Sequence, residues 1–138
     1  MNLVKYYNDN ISSIYSRIQT LYQQGQQAFD SSIEVPKLKL LSVPKSNSGE
    51  IKLNRAVYLW TLNCIKQLQE VINDLIVVYN DAGVIDYDAG DTEELTLWIP
   101  ERLAVDDIYI AKLSDNFEQC NKVLDNLLKY LQSYTTGY

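Results

Sequence analysis

Apolar residues recur at alternating spacings of three and four through the last third of the chain, at Leu113, Phe117, Cys120, Leu124, Leu127, Leu131 and Tyr134. That spacing places them on one stripe of an α-helix, and a stripe so continuous has to be covered by partner helices. Two earlier segments repeat the pattern. The first, from about Asp9 to Phe29, aligns Ile11, Ile14, Ile18, Leu21 and Phe29, widened by Tyr15 and Tyr22, with Asp9 or Asn10 suited to cap its start. The second, from about Leu53 to Asn80, aligns Leu53, Val57, Trp60, Cys64, Leu68, Val71, Leu75 and Val78. Tyr58, Leu59, Ile65, Ile72, Ile76 and Tyr79 extend its apolar face past half the circumference, which predicts a central helix touching neighbours on two sides. Gly83 follows Asn80-Asp81-Ala82 where a left-handed helix stop is wanted. The last helix is expected to run from about Ser114 through Leu131, with Ser133 to Tyr138 fraying.

Two connections interrupt these helices. Across about 30–53, Pro36, Pro44 and Ser46-Asn47-Ser48-Gly49 break the period and leave a long basic connection, with a brief alternation at Lys37-Leu38-Lys39-Leu40-Leu41. A connection of that length suits a crossover between parallel or distant helices, and its lysines make it a second contact surface to consider. Farther on the period changes to two. Val84-Ile85-Asp86-Tyr87-Asp88 and Glu94-Leu95-Thr96-Leu97-Trp98-Ile99 flank Ala89-Gly90-Asp91-Thr92, which predicts a small antiparallel β-hairpin at about 84–99, laid on the helices and ended by Pro100. Residues 102–112 fit a helical turn, and hence an extra short helix, as well as an extended piece. The expected fold class is therefore mainly α: a bundle of three long helices with one hairpin before the last, forming one domain over 1–138. A hydrophobic fraction of 46% supports a packed core of that kind.

The residues narrow function by exclusion. With no histidine among 138 residues, Ser-His-Asp and Cys-His catalysis is ruled out, and two cysteines cannot build a structural zinc site. Cys64 and Cys120 fall on apolar stripes and read as buried free thiols. No glycine-rich phosphate motif occurs, so neither cofactor nor nucleotide chemistry is expected. The acidic run Asp86 to Glu94 invites comparison with a calcium loop, but Asp91 stands where the loop requires Gly and Leu97 where it requires a bidentate Glu. No catalytic, cofactor or metal-ligating residues are therefore predicted, and the chain is expected not to be an enzyme.

Charge is divided along the chain. Residues 1–66 hold eight bases and four acids, a net of +4, while residues 67–138 hold four bases and fourteen acids, a net of −10, giving −6 in all. That balance makes nucleic acid an improbable main partner, although Lys37, Lys39, Lys45, Lys52 and Arg55 could touch phosphates. It suits instead a basic protein partner, as for an acidic inhibitor of the immunity or antitoxin kind. Tyr87 and Trp98, ringed by Asp86, Asp88, Asp91, Glu93 and Glu94, are the expected partner-binding residues, since aromatic anchors inside a charged rim are what interfaces use. The alternative is a self-assembling helical protein whose stripes pair between chains as a homo-oligomer. No apolar run approaches the roughly 20 residues of a membrane span, and the start of the chain lacks a secretion signal, so a cytoplasmic location is expected.

Overall fold

A computed structural model describes residues 3–29, 55–104 and 106–136, the side chain of Phe29 excepted. The basic connection expected at about 30–53 lies outside the described residues. Three helices, α1 (Leu3–Phe29), α2 (Arg55–Asp81) and α3 (Asp107–Thr136), pack against one another. All three run in the same direction. At the starting end the Tyr7 ring meets Trp60 of α2 edge-on at 6.1 Å, and its hydroxyl lies 2.9 Å from that of Tyr109 on α3. Halfway along, the Arg17 guanidinium donates to Asn121 Oδ1 at 2.8 Å and pairs with Asp125. Near the far end the Tyr79 hydroxyl donates to the Leu21 carbonyl at 2.8 Å.

Parallel neighbours cannot be joined by a tight turn, which accounts for the length of the connection between α2 and α3. A helix of 27 residues is about 40 Å long, and the chain leaving α2 must recover that distance before α3 begins. After the turns of residues 82–92, residues 93–100 run back along α2 in an extended path, from Asn73 to Tyr58.

The apolar stripes form the core. Ile11, Ile14 and Ile18 of α1, Leu68, Ile72 and Leu75 of α2, and Leu113, Leu124 and Leu127 of α3 are all almost wholly removed from water. Tyr7, Tyr22 and Tyr79 are buried just as deeply. Burial is the main cause that raises the pKa of each of these phenols, and the hydrogen bond to Tyr109 raises that of Tyr7 further. The thiols respond in the same way: burial lifts Cys64 to about 11 and Cys120 to about 12.

Helix limits differ from the sequence expectation at two starts. α1 begins at Leu3 rather than near Asp9 because Leu3, Val4 and Tyr7 continue the buried stripe by two turns. α3 begins at Asp107 rather than Ser114. Asp106 caps it by accepting the Tyr109 N–H at 2.8 Å, and Tyr109 and Leu113 extend its core face. Of the ambiguous residues 102–112, those from Asp107 onward form the first turns of α3, which continues to Thr136, while 102–104 stay outside the helix. At the end of α2, Gly83 adopts φ +77°, Val84 N–H reaches back to the Tyr79 carbonyl at 3.0 Å, and Gly83 N–H to that of Asn80 at 3.1 Å. Such a paired closure needs a residue at positive φ.

The hairpin at 84–99 is not formed, and no strand occurs among the described residues. Val84 and Ile85, read as the first strand, instead close the α2 terminus through their N–H groups to Tyr79 and bury their side chains beneath it. The second half does keep the extended alternation. Leu95 and Leu97 are buried while Glu94 and Thr96 face water.

Leu124 is fully buried, so Leu124→Ala is expected to cost about 2–5 kcal/mol, read as a lower denaturant midpoint at unchanged slope. A second expectation concerns alkaline pH. The fold holds the phenol and thiol protons more tightly than the unfolded chain does, so stability is complete below about pH 9 and declines as pH rises through 10. Thermal melts followed by circular dichroism across that range should show the decline, with phenolate absorbance of the buried tyrosines appearing only on unfolding.

Candidate functional site

Residues 84–100 carry every residue predicted to bind a partner, and two local devices shape them. The first is a turn. The Asp91 carboxylate accepts the Asp86 N–H at 2.7 Å, the Asp86 carboxylate accepts the Ala89 N–H at 3.2 Å, and Gly90 at φ +83° lets the chain reverse. Asn80 Oδ1 on α2 accepts the Tyr87 N–H at 3.0 Å and ties the turn to the helix. Two carboxylates of the acidic run are thereby engaged inside the turn. Asp88, Glu93 and Glu94 point to solvent.

The second device is the return segment, residues 93–100, which lies between α2 and α3. Its backbone is satisfied by side-chain amides instead of a neighbouring strand. Asn73 accepts the Leu95 N–H at 2.8 Å and donates to the Leu95 carbonyl at 2.9 Å, and Gln69 accepts the Leu97 N–H at 2.7 Å. On the other side Asn116 of α3 accepts the Trp98 N–H and donates to its carbonyl, both at 2.8 Å. Tyr58 closes the run by donating to the Pro100 carbonyl at 2.9 Å. The match with α2 is geometric. Four helical residues advance about 6 Å and two extended residues about 6.6 Å, so Gln69 and Asn73 meet Leu97 and Leu95 in register.

These devices divide the predicted residues among three recesses and the turn. Tyr87, Asp88 and Glu94 share a groove of about 300 Å³ with Asn73, Ile76, Val77 and Asn80 of α2. Asp91, Glu93 and Glu94 line a second cleft, over Gln119 and Lys122 of α3. Trp98 stands apart, in a third recess with Arg102, Ile108 and Lys112. Its ring is half-buried, meets Tyr109 edge-on at 5.4 Å, and is covered by the Lys112 ammonium 5.2 Å from its centroid. Asp86 lies within the turn itself. The structure thus unites Tyr87 with Asp88 and Glu94, and separates all three from Trp98.

Sequence reasoning missed Gln69, Asn73 and Asn116, the residues that hold the site in shape. Their signal was present: amides one helical turn apart beside Leu68 and Ile72, and another beside Phe117, are out of place on apolar stripes unless something polar lies against them. No cluster of three or more His, Cys, Asp or Glu side chains among the described residues is arranged to hold a metal ion. No described helix is long and apolar enough to cross a membrane. Comparison with protein-family models, curated proteins and solved structures finds no match.

Asn116 is buried, so Asn116→Ala should leave the Trp98 N–H and carbonyl without partners and cost about 1–3 kcal/mol. Hydrogen exchange gives a local check: the Trp98 amide should exchange faster in the variant, while amides of the α1 core change only by the global loss of stability.

Proposed function

We propose that this chain is a non-enzymatic module that binds another protein, and that the partner presents a basic surface. The observation that carries this reading is the state of the carboxylates. Of the fourteen acids in residues 67–138, Asp125 alone joins an ion pair among the described residues, with Arg17, and all but the half-buried Asp91 are exposed. A carboxylate surface with so few ion pairs among the described residues raises the rate and selectivity of encounter with an opposite charge, over a range of about 8 Å at physiological salt. The raised pKa values support the non-enzymatic reading, because burial is the main cause in each, and the hydroxyl of Tyr109, at the recess beside Trp98, is engaged with that of the core Tyr7. A cytoplasmic inhibitor of a basic enzyme, of the immunity or antitoxin kind, is one form such a module takes.

Self-association is a second reading, favoured by Leu59 at 46% and Ile108 at 71% exposure on the outer faces of α2 and α3. Tagged co-purification from the native host at low and high salt separates the two. The module reading expects a stoichiometric basic partner that is released as salt rises; recovery of this chain alone, with a mass that grows with concentration, would replace it with self-association.

A further inference from the structure

The groove between α2 and the acidic turn has a character that neither the helical stripes nor the charge map foretold. Its floor is Ile76, its walls are Val77, 57% exposed, and the ring of Tyr87, 39% exposed, and its rim carries Asp88 and Glu94. Val77 lies off the core-facing stripe of α2, and no packing demand of the bundle accounts for an apolar residue there.

The walls are set in advance. Tyr87 is held at its N–H by Asn80 and at its carbonyl by Gly90 N–H, 3.1 Å away, while Asn73 fixes Leu95 beside Glu94. A ligand entering the groove therefore meets little ordering cost in the protein. The charge is equally one-sided. Asp86 and Asp91 are engaged in the turn, whereas Asp88 and Glu94 have no ion-pair or hydrogen-bond partner among the described residues. The groove lies beside the last turns of α2, where the helix dipole is negative, and that helix ends in Asp81 with no base in its last turn.

An apolar wall, an aromatic face and two carboxylates, in a space at the lower limit of ligand pockets, match one long basic side chain and little more. The alkyl stem of an arginine or lysine would lie along Val77 and the Tyr87 ring, and its charged head would reach Asp88 or Glu94. We infer that this groove receives a basic side chain of the partner and is the anchor point of the interaction. The inference rests on the reading of the chain as a module for a basic protein, and it assigns the anchor to Tyr87 and Val77 rather than to Trp98.

Titration of the isotope-labelled full chain with hexa-arginine amide at low salt tests the anchor. Amide shifts should concentrate at Val77, Tyr87, Asp88 and Glu94. Val77→Lys, at an exposed position where the change should leave the circular dichroism intact, should weaken binding about tenfold, as loss of one interface anchor does. Glu118→Lys, an exposed change of larger charge on α3, should weaken it by less than about twofold, as peripheral charges do. Equal weakening by the two variants, or shifts spread over all the carboxylates, would overturn the groove while leaving the acidic-surface reading intact. Absence of any binding at low salt would overturn both.

Discussion

Everything between α2 and α3 depends on how one stretch of backbone meets its hydrogen-bonding demand. Residues 93–100 bury Leu95, Leu97 and Pro100 between two helices that have no free backbone groups to offer. A buried N–H or carbonyl left unpaired costs about 1–3 kcal/mol, so a return path through this groove is tolerable only if side chains supply the missing partners. Asn73 and Asn116 each answer both groups of one residue, as an opposing strand would, and Gln69 answers a third. Because the amides come from helices on both sides, the segment also ties α2 to α3. Placing Glu94 and Trp98 on the surface is a by-product of that fastening.

The same economy of polar partners explains how so many tyrosines fit a helical core. Tyr7 and Tyr79 are as buried as the leucines around them, yet the Tyr7 hydroxyl meets Tyr109 and the Tyr79 hydroxyl meets a carbonyl of α1. Each ring supplies a large apolar area, and each hydroxyl links two helices at a defined height along the bundle. Such links set the axial alignment of the helices more sharply than leucines alone can, since apolar packing is non-directional. The buried hydroxyl of Thr92, by contrast, has no partner among the described residues.

Periodicity made the helices legible, together with most of their core faces and the Gly83 closure, because these follow from local spacing and from one residue able to hold a positive φ. The early start of α1 escaped because Asp9 and Asn10 resemble a cap. In the fold they are mid-helix residues on the outer side, and the Asn10 amide bonds back to the Tyr6 carbonyl. The hairpin escaped for a different reason. Alternation in Glu94 to Trp98 reports an extended chain with one buried face, and it says nothing of what pairs with that chain's backbone. Two helices satisfy it here as well as a strand would. For the candidate site, the turn residues and their charge could be read directly, but Val77 and Asn73 lie some ten to twenty positions away in sequence, and only the fold brings them beside Tyr87 and Glu94.

The common direction of the three helices has a bearing on how the chain is made. In an antiparallel bundle each new helix can fold back on the one before it, so that neighbours in sequence protect each other as soon as they appear. Here the hydrogen bond between Tyr7 and Tyr109 spans 102 residues, and Arg17 finds Asn121 only once most of the chain exists. The apolar face of α1, synthesised before α2 and α3, therefore stays partly uncovered until α3 is made. Contacts so distant in sequence slow folding and lengthen the time during which that face is open to other proteins.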